Sequence, residues 1–140
     1  MTIPETETQI ISEFSLFGDW MEKYSYLIEM GKSLPLIDEK YKTNQYVITG
    51  CQSQVWLFAE LKGDKIFFSA DSDAIITKGI VNLLIRVLSG QTPEDILDAK
   101  LEFIDVIGLR EHLSPTRSNG LTSMIKQMKL YAMVFKLKAS

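Results

Sequence analysis

The sequence predicts an α+β fold, a single domain over residues 1–140 in which helices pack on a short antiparallel β-sheet. Three observations predict it. Apolar residues recur with helical spacing at both ends of the chain, and between them one stretch switches to strict alternation. A length of 140 residues suits one domain, which at this size buries roughly 70% of its unfolded surface and folds without a disulfide or metal.

The elements follow in order. The opening reads as a helix with Ile10, Ile11, Phe14 and Phe17 on one side. Asp19 is a good N-cap for a second helix, with Glu22 three residues later as in a capping box. Trp20, Tyr24, Leu27 and Ile28 form its apolar face, and Gly31 is expected to supply a left-handed stop. Residues 33–46 read as irregular. Val55, Leu57, Ala59 and Leu61 then face one way, and Trp56, Phe58, Glu60 and Lys62 the other. Gly63-Asp64 turns the chain, and Ile66, Phe68 and Ala70 alternate on the return, completing a β-hairpin. Ser72 or Asp73 is expected to cap an apolar helix that Gly90 ends. Thr92-Pro93-Glu94-Asp95 joins an N-cap, an N1 proline and first-turn acids. Ser114-Pro115 opens the last helix in the same way, with Leu121, Ile125, Met128, Ala132 and Phe135 as its buried stripe.

Charge and hydropathy narrow the function. The net charge of −3 comes without any Lys/Arg block, so phosphate neutralisation, the main source of nucleic-acid affinity, is missing. The longest apolar stretch, Ile75 to Leu88, contains Lys78, Asn82 and Arg86, and is too short and polar to span a bilayer. The acidic start, Met1 to Glu7, lacks the basic and apolar regions of a signal peptide. One cysteine makes no internal disulfide, and a reducing cytoplasm fits that usage.

That cysteine, Cys51, is the strongest chemical candidate. A lone cysteine is commonly a small buried hydrophobe. Here Gly50 precedes it and Gln52, Ser53 and Gln54 follow, which is turn chemistry and puts the thiol on a loop entering the hairpin. A thiol with a pKa near 8.5 is only about 3% thiolate at pH 7, so its surroundings must activate it for reaction. Val47, Ile48, Val55 and Trp56 are candidates for an apolar wall around it. A hydrolytic Cys51 would need the single histidine, His112, as its base. An inert cysteine in a binding module is a further alternative. One Cys and one His leave carboxylates to complete any zinc site, and Asp71 and Asp73 read as helix capping before cation binding.

Gly50-Cys51-Gln52-Ser53-Gln54-Val55-Trp56-Leu57 resembles the signature of the SufE family of sulfur acceptors, which includes the paralogous CsdE proteins. Trp20 to Pro35, Asp71 to Gly79, and His112 to Leu121 resemble further blocks of that family in the same order. The resemblance implies a SufE/IscU-like fold and a role in iron–sulfur cluster assembly. A pyridoxal-phosphate (PLP) cysteine desulfurase, SufS- or CsdA-like, would hand sulfur to Cys51 as a persulfide and be stimulated by doing so. The sulfur would then pass to a downstream iron–sulfur scaffold complex. No cofactor is expected on this chain, and a homodimer is left open. Arg117 is a candidate anchor for the Cys51 loop or a partner contact, with Gly50 and Gln52 beside the thiol.

Overall fold

The computed structural model describes residues 1–139, with elements α1 (Ile3–Phe14), α2 (Trp20–Gly31), β1 (Val55–Lys62), β2 (Lys65–Ser72), α3 (Ile75–Leu88), α4 (Pro93–Asp98), α5 (Phe103–Val106), α6 (Leu109–His112) and α7 (Pro115–Ala139). This is the expected α+β arrangement. The strands pair antiparallel from Val55 with Ser72 to Lys62 with Lys65. Their alternation is as read: Val55, Leu57, Ala59, Ile66, Phe68 and Ala70 are buried on one face. The outer face carries Phe58, whose ring stacks on Tyr41 at 3.9 Å and meets Tyr46 edge-on. The irregular stretch before the hairpin therefore works as its cover, through two short 3₁₀ turns at Glu39–Tyr41 and Asn44–Tyr46. It also adds a bridge between Leu36 and Ala70.

Helix α3 is the centre of the core. Ile80, Val81, Leu83, Leu84, Val87 and Leu88 are each at most 1% exposed, so the helix is wrapped on nearly all sides. Each such side chain contributes about 1.5–3 kcal/mol of transfer free energy. Its close approach to α2 corrects one expectation. Gly31 is the last residue of α2 and has no positive φ, so it is not a left-handed stop. A Cβ there would lie 2.9 Å from the Gly79 amide nitrogen. A Cβ on Gly79 would lie 2.7 Å from the Leu27 carbonyl carbon and closer still to its oxygen. The two glycines let the helices touch backbone to backbone. Asn82 of α3, 9% exposed, donates from Nδ2 to the Met30 carbonyl at 2.6 Å and caps the end of α2 from the side.

The local caps mostly follow the sequence. Asp19 accepts from the Glu22 amide, although the Glu22 carboxylate accepts from Gly18 rather than closing the box on Asp19. A full capping box forms at α1, between Thr2 and Glu5. Phe17 lies beyond α1 and packs on Tyr26 with ring centroids 5.0 Å apart. Gly90, with φ +81, follows α3 as its stop, and Thr92 caps α4. Among the described residues no helix is long and apolar enough to cross a membrane.

Candidate functional site

The Cys51 loop is held at its base and little elsewhere. Ile48 donates its amide to the Val55 carbonyl at 2.8 Å, closing the neck. Gln54 is gripped on both sides: its amide donates to Asp73 Oδ1 at 3.1 Å, and its carbonyl accepts from Ser72 Oγ at 2.8 Å and from the Asp73 amide at 3.3 Å. These two residues were expected to cap α3. The N-cap is Ala74 instead, and α3 has no side-chain cap. The Asp73 carboxylate is engaged by the loop. No backbone hydrogen bond holds residues 49–53 among the described residues. Gly50 has φ +91 and sits against Ser123 of α7, where any Cβ would collide with the hydroxyl.

Cys51 turns its half-buried thiol toward α7, with Sγ donating weakly to the Gly120 carbonyl at 3.7 Å. Burial pushes its pKa up, because the thiolate is less well solvated there than the thiol. A cavity of about 290 Å³ opens beside it, and Thr77, Ile80, Arg117, Gly120 and Met124 contribute to its wall. Gln52, Ser53 and Thr116 complete the lining. The apolar wall is thus Ile80 and Met124, a correction to Val47, Ile48, Val55 and Trp56. Ile48 and Val55 are buried in the core, and Trp56 lies under the Lys42 ammonium, 4.9 Å from its ring centroid.

The predicted site residues therefore converge: Cys51, Gln52 and Arg117 share one cavity, and Gly50 stands next to the thiol. Arg117 is exposed; its amide donates to Ser114 Oγ at 3.3 Å, while its guanidinium makes no ion pair or hydrogen bond among the described residues. It does not tie down the Cys51 loop by carbonyl contacts in this conformation. His112 lies outside the cavity lining. Its ring stacks on Trp20 at 4.1 Å and its Nδ1 pairs with the Gly108 carbonyl at 2.9 Å. Asp71 is ion-paired with Lys42 at 3.0 Å and Lys78 at 3.5 Å, and no cluster of metal-ligating side chains occurs among the described residues. Thr77, Ile80 and Met124 were not singled out from the sequence, where they read as part of apolar helices.

A family model described as SufE, an Fe–S metabolism associated domain, matches residues 8–132. The chain belongs to the SufE family. It is 41% identical over 127 residues to a SufE-like protein of Rhizobium meliloti, covering 86% of this chain and 90% of that one. It is 36% identical over 139 residues to a SufE-like protein of Synechocystis, covering 99% and 87%. SufE-like protein 1, chloroplastic/mitochondrial, of Arabidopsis thaliana matches 97% of this chain at 35% identity, over 37% of its own length. The solution structure of a hypothetical protein from Thermus thermophilus superposes with a TM-score of 0.79 over the whole of both chains at 22% identity, which supports the fold. Membership in this family gives the chain a role in iron–sulfur metabolism.

Proposed function

We propose that the protein is a sulfur carrier that accepts sulfane sulfur on Cys51 from a PLP-dependent cysteine desulfurase, stimulates that enzyme, and passes the sulfur to a scaffold complex assembling iron–sulfur clusters in the cytoplasm. In the acceptance step the Cys51 thiolate attacks the terminal sulfur of the donor's persulfide. A new bond forms to Sγ, the donor's sulfur–sulfur bond breaks, and the donor cysteine leaves as its thiolate. Electrons balance without a further oxidant or cofactor.

The observation that carries this reading is the setting of the chain's only cysteine. It sits on a loop held only at its neck, beside a small cavity. With no second thiol, the persulfide cannot resolve into an internal disulfide. A half-buried sulfur is also guarded against the oxidation that consumes exposed thiolates. Arg117 lines the cavity and its charge has no protein partner among the described residues, which supports a contact with the desulfurase or the transferred sulfur.

The test is mass spectrometry after incubation with a desulfurase and free cysteine. We expect a gain of one sulfur atom on Cys51. Cys51→Ser is expected to keep its melting temperature, since the change is small, sits in a loop and replaces a thiol whose hydrogen bond to the Gly120 carbonyl is weak, but neither to take up sulfur nor to stimulate the desulfurase. Stimulation of the desulfurase by this variant at the unmodified protein's level would overturn the assignment.

A further inference from the structure

Thr77 stands out among the cavity residues. It is only 6% exposed, yet its hydroxyl makes no hydrogen bond to the protein among the described residues. It does not bond back to the carbonyl one turn earlier, as the exposed Thr8 does to Pro4 at 2.9 Å. No buried polar side-chain atom is left unsatisfied among the described residues, so the Thr77 oxygen opens into the cavity and is free to donate to a group that enters it. Its position adds to this. Thr77 lies in the first turn of α3, whose amides lack a side-chain cap because Asp73 is engaged by Gln54. In the first turn of α7, Arg117 lines the same cavity, and its guanidinium makes no ion pair among the described residues. Among the described residues, a cation without an ion pair and a hydroxyl without a protein partner thus line one small space beside Cys51. Such a space is built for a small anion bonded to, or touching, Cys51.

We propose that the Thr77 hydroxyl, assisted by Arg117, holds the terminal sulfur of the Cys51 persulfide as an anion inside this cavity. The proposal rests on Cys51 carrying sulfur and names the group that keeps it. A persulfide's outer sulfur ionises more readily than a thiol and accepts hydrogen bonds. In this pocket it replaces the weak Sγ donation to the Gly120 carbonyl with donation from the protein to sulfur. Thr77 is a positioning residue. The thiol is favoured by burial and by a carbonyl acceptor, the persulfide by donors, so the site changes preference on loading.

The test loads Cys51 of the full chain with inorganic polysulfide, which needs no desulfurase. The Cys51 thiolate attacks one polysulfide sulfur and a shorter polysulfide leaves. The persulfide is then followed by its alkylation across pH and by its decay under a fixed concentration of reductant. Thr77→Val, close to isosteric, is expected to raise the midpoint of persulfide ionisation by about one pH unit and to shorten the persulfide lifetime about tenfold, the range for losing a hydrogen bond to a charged group. Thr77→Ser is expected to restore both. Alkylation of the unloaded thiol is the control for loosened packing and should change less than twofold. Should the valine variant fail to fold, Thr77→Ala against Thr77→Ser reads the same hydroxyl. Equal persulfide ionisation and lifetime with and without the hydroxyl would overturn the proposal. A failure of desulfurase-driven loading alone would overturn the sulfur-carrier reading instead.

Discussion

At position 120 a missing side chain leaves space beside the thiol. A Cβ on Gly120 would sit 3.5 Å from Cys51 Sγ, an ordinary contact, so alanine fits the resting protein. Glycine inside a helix is less favourable than alanine by roughly 0.5–1 kcal/mol. Gly120→Ala is therefore expected to raise the melting temperature by a few degrees while slowing sulfur acceptance, because the added methyl narrows the space for a second sulfur. Calorimetry and the rate of persulfide formation read the two effects separately. The thiol itself makes a pH prediction. Since burial raises its pKa, the alkylation rate of Cys51 should climb at higher pH in the folded protein than in denaturant. A folded midpoint at or below the denatured one would show that the sulfur is not sheltered.

At the scale of elements, the loop and the helix crossing behave oppositely. Among the described residues no backbone hydrogen bond holds residues 49–53, so swinging the thiol out costs little beyond the Gly120 contact and its burial. Hydrogen exchange of residues 49–53 is expected to be fast in the free protein and to quicken further, or shift, when a desulfurase lacking its own active-site cysteine is bound. The crossing of α2 and α3 has no such slack: Gly79→Ala forces a methyl into the Leu27 carbonyl and is expected to cost about 3 kcal/mol or prevent folding. Gly18→Ala, with nothing within 4 Å, should be nearly neutral. This contrast also explains what the sequence made legible. Caps such as Thr92-Pro93 and the alternation of β1 and β2 are set by neighbours a few residues away, so they read directly. Gly31 was misread because its determinant is Gly79, distant in the chain. Asp73 was misread because the Gln54 amide competes for its carboxylate. Cys51 was legible from its turn residues and its resemblance. Thr77 was not, because a threonine in an apolar helix looks like core until its hydroxyl is found without a partner. Helices α5 and α6 are four residues each, too short to show a period.

Across the whole molecule, one half-buried ion pair joins the three helices that frame the core. Glu13 of α1 accepts from Arg86 of α3, through Nη1 at 2.7 Å and through Nη2, and from the Tyr26 hydroxyl of α2. The Arg86 hydrogen bonds hold the Glu13 carboxyl below its ordinary value of 4.5. At Asp71 burial pulls upward, but Lys42, the Ser72 amide and Lys78 together outweigh it and leave that carboxyl low as well. Glu7 runs the other way, raised by burial and then by Glu102, so protonating it relieves strain on the fold. A carboxyl whose folded pKa is depressed binds its proton less readily in the native state than in the unfolded chain. Its stabilisation is full above the unfolded value and is lost as pH falls through the folded one. Thermal stability is therefore expected to hold from neutral pH down to about pH 4.5 and to decline below it as Glu13 and Asp71 take up protons. Glu13→Gln should lower stability at pH 7 by about 2 kcal/mol, since Arg86 loses its charged partner, and should flatten the acid limb of the curve. Pairing it with Arg86→Met isolates the coupling between the two side chains. If the double variant equals the sum of the singles, and Glu13→Gln leaves the acid limb unchanged, this pair does not govern the acid stability of the fold.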